Sequence, residues 1–129
     1  MKRNMTKQEK LIYLAGIIDG EGYVSILKKC DRESPRYQSY VAVSNTHHEL
    51  IRWINEEFGG SVHHQPIEQH RKPVMMWTIC ANQADGLIKK VYPYLLVKRK
   101  QAQTLFFFES LKDREGGEKF WFEMKELHR

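Results

Sequence analysis

No apolar run in these 129 residues is long enough to cross a bilayer, which argues against a helical membrane protein. Cysteine is scarce. Cys30 and Cys80 lie far apart and form no CxxC pair, so neither a disulfide framework nor a cysteine-based zinc site is expected. Both read as small apolar strand residues, although one disulfide between them stays open. The first ten residues are polar and lack a signal-peptide core, so the chain is expected to work intracellularly, in the cytoplasm or an organelle. Low-complexity tracts and linkers are absent too, and residues 1–129 read as a single domain. What is present is ordinary for a globular protein: 41% hydrophobic and 29% charged residues. The balance of 21 basic against 16 acidic residues gives a net charge of +5. Such an excess attracts polyanions at long range, although a merely solvated basic surface would look the same.

The pattern is α+β. Thr6-Lys7-Gln8-Glu9 fits a capping box, and Leu11, Leu14, Ala15 and Ile18 follow at helical spacing until Gly20 and Gly22. Alternation then predicts strands over Tyr23–Cys30 and Tyr37–Asn45, joined by a turn from Asp31 to Pro35. Val24, Ile26, Tyr37, Ser39, Val41 and Val43 fall on one face, and Ser25, Leu27, Lys29, Arg36, Gln38 and Tyr40 on the other. A second capping box at Thr46–Glu49 opens a helix with Leu50, Trp53, Ile54 and Phe58 as its apolar stripe, stopped by Gly59-Gly60. Strands over Ser61–Ile67 and Val74–Ala81 flank a basic loop at His70 to Lys72. A third box at Asn82–Asp85 starts a helix that Pro93 ends. Further helices fit Lys100–Lys112 and, beyond Gly116-Gly117, the Phe120–Leu127 stripe. Four strands in one antiparallel sheet backed by helices is the expected layout, with helix–strand–strand occurring twice.

The most specific segment is Leu14-Ala15-Gly16-Ile17-Ile18-Asp19-Gly20-Glu21-Gly22. Gly16 and Gly20 share a helix face on which a second helix could approach closely. Asp19 and Glu21 place two carboxylates where the helix stops, against the sign of its macrodipole. Divalent-cation binding would compensate that cost; the plainer alternative is a capped helix with two surface acids.

This string resembles the signature of the LAGLIDADG homing endonucleases, with Ile17 for Leu, Gly20 for Ala and Glu21 for Asp as departures. The resemblance extends through the element order from about Leu11 to Leu111. It implies an αββαββα core whose four-stranded sheet forms a DNA-binding saddle. It implies a metal-dependent endonuclease that hydrolyses double-stranded DNA at a specific site, with Glu21 and the Gly20 carbonyl as metal ligands. Mg2+ is the implied ion, with Mn2+ or Ca2+ able to substitute for binding. Asp19 resembles the family's structural acid, expected to cap the turn. Lys98, within Val97-Lys98-Arg99-Lys100-Gln101-Ala102, and Asn45 match positions near the scissile phosphate, as catalytic residues beside Glu21. Alone, Lys98 reads as a basic helix start and Asn45 as a helix N-cap. One motif per chain implies a homodimer meeting through Leu14, Ala15, Gly16, Ile18 and Asp19, and a pseudo-palindromic target. A non-cleaving nucleic-acid binder, such as an intron RNA maturase or a DNA-binding regulator, is the alternative.

A two-stranded ribbon fits the DNA major groove. The candidate readers are Ser25, Leu27, Lys29, Arg36, Gln38 and Tyr40, with His63, Gln65, Arg71, Lys72 and Thr78 from the second hairpin. Neither a membrane nor a small-molecule substrate is implied. The histidine pairs do not suggest zinc, because neighbours on a strand point to opposite faces.

Overall fold

A computed structural model describes residues 4–30, 35–64, 72–111 and 117–128. Its elements run in the order α1 (Lys7–Glu21), β1 (Gly22–Cys30), β2 (Pro35–Asn45), α2 (His48–Phe58), β3 (Ser61–His64), β4 (Met75–Cys80), α3 (Ala81–Val91), α4 (Arg99–Ser110) and α5 (Gly117–Leu127). A 3-10 turn, Tyr92–Tyr94, precedes α4. The strands form one antiparallel sheet in the order β1-β2-β4-β3, and the expected α+β architecture is the one found.

Sequence alternation sorts the two faces of the sheet correctly. Val24, Ile26, Val41, Val43, Met75 and Trp77 are all at most 2% exposed and meet the helices. At roughly 1.5–3 kcal/mol for each large apolar side chain removed from water, this layer dominates the stabilisation. Trp77 also places its indole N–H on the Gly59 carbonyl at 2.7 Å, satisfying the polar atom of a fully buried ring. The register opposes Ser25 with Tyr40, Leu27 with Gln38 and Lys29 with Arg36 on the open face. Ala42 opposes Thr78 there, and His63 opposes Met76.

Of the three capping boxes expected, one forms. Thr6 Oγ1 accepts from Glu9 N at 3.1 Å, and Glu9 Oε1 accepts from Thr6 N at 2.8 Å. At the second, Asn45 takes the His47 N–H at 2.8 Å, and His47, without a side-chain cap, becomes the residue before the helix. At the third, the chain leaves β4 directly into α3, and Asp85 pairs forward with Lys89 at 2.8 Å. Several boundaries also shift. Pro35, expected in the turn, opens β2; α4 begins one residue early at Arg99; α5 begins at Gly117. The expected strand through Ile67 ends at His64 among the described residues, and its remainder lies outside them.

The corner between α1 and β1 is tight. A β-carbon on Gly22 would lie 2.6 Å from Ile18 Cα and 2.8 Å from Ile18 O, so only glycine fits. The Gly22 N–H closes the helix on the Ile18 carbonyl. Glu21, the last helical residue, is thereby delivered to the edge of the sheet with its side chain exposed.

Candidate metal-dependent nucleic-acid site

The site grows from the end of α1. Asn45, at the end of β2, donates from Nδ2 to Glu21 Oε2 at 2.8 Å while its Oδ1 accepts from His47 N. One amide therefore joins the start of α2 to the Glu21 carboxylate, so its turn-forming and site-orienting roles coincide. Gly20 is exposed, and as one of the last helical residues its carbonyl has no partner within the helix. Glu21 and the Gly20 carbonyl form a hard oxygen pair of the kind Mg2+ accepts. No group of three or more His, Cys, Asp or Glu side chains able to hold a metal occurs among the described residues.

Asp19 caps something other than its own turn. Its Oδ2 accepts from Leu96 N at 2.8 Å, and its Oδ1 from Val97 N and Lys98 N, both at 3.0 Å. A carboxylate at the end of α1 thus holds the start of α4, where Lys98 is the residue before the helix. Arg99 fixes the same loop from the other side, donating from Nη1 to the Tyr92 and Leu95 carbonyls at 3.3 and 3.4 Å. Lys98 is set by this double clamp relative to the helix that carries Glu21.

The expected partner contact divides. Leu14, Ala15 and Ile18 are fully buried in this chain's own core, which corrects their assignment to a face that meets a second copy. An apolar stripe that fills the core has no surface left for a partner. Asp19 is likewise engaged within the chain. The outward strip of α1 carries Gly16 and Gly20, each with nothing within 4 Å of an added β-carbon, beside Tyr13, which is 42% exposed.

The expected base readers also separate. Lys29 and Arg36 are exposed on the open face, and Leu27, Gln38 and Tyr40 are half-buried there. Ser25 is only 5% exposed, sunk between larger neighbours, and its expected role as a reader is corrected on that ground. Thr78 is also buried, 3.4 Å from the exposed His63 through its hydroxyl and Nε2. Lys72 is exposed just before β4, while Gln65 and Arg71 lie outside the described residues. Burial, with lesser contributions from Cys80 and Tyr23, raises the Tyr40 pKa, so its phenol stays protonated and able to donate near neutral pH.

Two residues that sequence reasoning did not single out complete the neighbourhood. Tyr23 stands edge-on to Tyr40, with ring centroids 6.2 Å apart, and His128 stacks on Tyr23 at 4.6 Å. Strand alternation could have found Tyr23, which shares a face with Ser25. Nothing local in the sequence brings His128 to β1.

No family model matches the chain, and no curated protein matches it significantly. Solved structures do. A chain of the homing endonuclease I-CvuI, complexed with a DNA target in the presence of Mg, superposes with a TM-score of 0.77 at 17% identity, covering 93% of this chain and 82% of that one. The archaeal intron-encoded homing endonuclease I-Vdi141I, complexed with DNA, gives 0.77 at 17% identity over 95% and 86%. The meganuclease I-SmaMI bound to uncleavable DNA gives 0.69 at 15% identity over 91% of this chain but only 42% of its own. The fold is that of the LAGLIDADG homing endonucleases, as the α1 motif implied.

Proposed function

We propose that two copies of this chain form a site-specific, metal-dependent endonuclease for double-stranded DNA. The observation that carries this reading is the exposed Glu21 carboxylate at the end of α1, oriented by Asn45 at the edge of a polar sheet face. The net charge of +5 and the DNA complexes of I-CvuI and I-Vdi141I support the choice of substrate. The single motif in the chain supports a two-fold arrangement, with Glu21 and Gly20 of each copy near the axis. So does the match to I-SmaMI, whose longer chain is covered over only 42% of its length. Gly16 and Gly20 form the contact strip, and the target is pseudo-palindromic.

Divalent ions held by the two Glu21 carboxylates and the Gly20 carbonyls would supply an activated water and stabilise charge on the attacked phosphate; Mg2+ is the expected ion, with Mn2+ or Ca2+ supporting binding. The remaining work falls to the chain itself. Asn45 holds Glu21 in one rotamer. Lys98, fixed through Asp19, places a cation where negative charge grows on the phosphate oxygens. Lys29, Arg36, Gln38 and Tyr40 donate to base edges or backbone in the major groove.

The test is selection of a cut site from a randomised duplex library with purified protein and Mg2+, followed by Glu21→Gln on the selected duplex. The expected outcome is wild-type cleavage, with E21Q binding but not cutting. Equal cutting by E21Q overturns the metal assignment. Binding without cutting by the wild type overturns catalysis and leaves a non-cleaving binder. A monomer on DNA by sedimentation overturns the dimer.

A further inference from the structure

Tyr23 is the first side chain on the open face after Glu21, and it is 44% exposed. It lies on β1, an edge strand, so a neighbouring strand supports it on one side only, through Tyr40. The imidazole of His128 supports it from elsewhere, with an interplanar angle of 22°. His128 follows α5, which packs on α4 and β1, and Gln101 of α4 donates from Nε2 to the Leu127 carbonyl at 3.5 Å. Burial lowers the proton affinity of His128, and the charge of Lys98 acts in the same direction, so the ring adds no second cation beside Lys98.

We infer that His128 is a positioning residue: by stacking on Tyr23 it holds that phenol upright beside Glu21, where the hydroxyl donates to a phosphate oxygen at the cleaved step of the DNA. The inference rests on the DNA-cutting reading above. A donor fixed before the substrate arrives loses little freedom on binding, and one so close to the scissile group acts mainly as charge develops there. His128 itself touches no substrate.

The experiment compares wild type, His128→Ala, His128→Phe, Tyr23→Ala, Tyr23→Phe and the H128A/Y23A pair on the selected duplex. In H128A, kcat is expected to fall about tenfold while DNA affinity in Ca2+ changes less than about threefold. H128F restores the stack and cuts within about twofold of wild type. Y23F, which keeps the ring and loses the hydroxyl, matches H128A, and the pair is no slower than Y23A alone. Without DNA, the Tyr23 ring protons are expected to keep their stacking shift in H128F and lose it in H128A. Wild-type kcat in H128A, or losses that multiply in the pair, overturns the inference. A wild type that does not cut overturns the cleavage reading first and the inference with it. Equal cutting by wild type and H128A overturns only the role of His128.

Discussion

Replacing Asp19 with Asn tests whether the acid two residues before Glu21 is a structural clamp. In the wild type, one oxygen serves Val97 N and Lys98 N, and the other serves Leu96 N. An asparagine can keep the first pair but must turn an NH2 group against the Leu96 N–H. A hydrogen bond to a charged group contributes about 1.5–3 kcal/mol, and the exposed setting of the Leu96 bond favours the low end. Removing negative charge from the start of α4 costs about 0.5 kcal/mol more. The sum is about 2 kcal/mol, which for a chain of this size lowers Tm by roughly 6–8 °C. The assay is thermal unfolding by circular dichroism, wild type against D19N at equal protein concentration, without metal or DNA. Cleavage also falls, because the Lys98 backbone is no longer fixed. A D19N protein that melts with the wild type but loses metal affinity refutes the clamp and makes Asp19 a ligand.

Gly16→Leu is expected to keep its far-UV spectrum, since nothing lies within 4 Å of an added β-carbon, yet to sediment as a monomer. Within the single chain the change favours the helix by about 0.5–1 kcal/mol, so a persistent dimer would show that α1 does not form the contact. His128 gives a pH dependence of known sign. Its folded pKa lies below 6.5, so between that value and 6.5 the unfolded chain binds more protons. Its contribution to stability is therefore complete above 6.5 and is lost as pH falls through this window. Comparing Tm at about pH 7.5 and about pH 5 for wild type and H128F isolates it; an identical drop in both removes His128 as the source.

Local signals carried much of the fold. Thr6 and Glu9 formed their box, each accepting from the other's backbone N–H. Thr46 and Glu49 present the same pattern, but Asn45 lies two residues before His47 and captures its N–H first. Period-two alternation assigned both faces of β1 and β2, because a one-residue slip would have put Val24 and Val41 in water. It could not show that Ser25 is sunk among its neighbours, since burial on the open face depends on side chains from adjacent strands. The α1 motif pointed to Glu21 and Gly20, but it could not separate residues that fill the core from residues that face outwards. Leu14 and Ile18 went to the core because β1, β2 and α3 pack behind the helix. The target of Asp19 lies 77 residues away, a distance no window along the chain can span.

The tight corner at Gly22 has a mechanical consequence. Because β1 turns back onto Ile18 with no room for even a methyl group, helix and strand meet without a hinge between them. Movement of β1 would carry Glu21 with it and pull on the Asn45 amide at the end of β2. Under the proposed function, a poorly fitting duplex would be sensed as a misplaced carboxylate, and fidelity would be enforced at the bond-breaking step as well as in the groove.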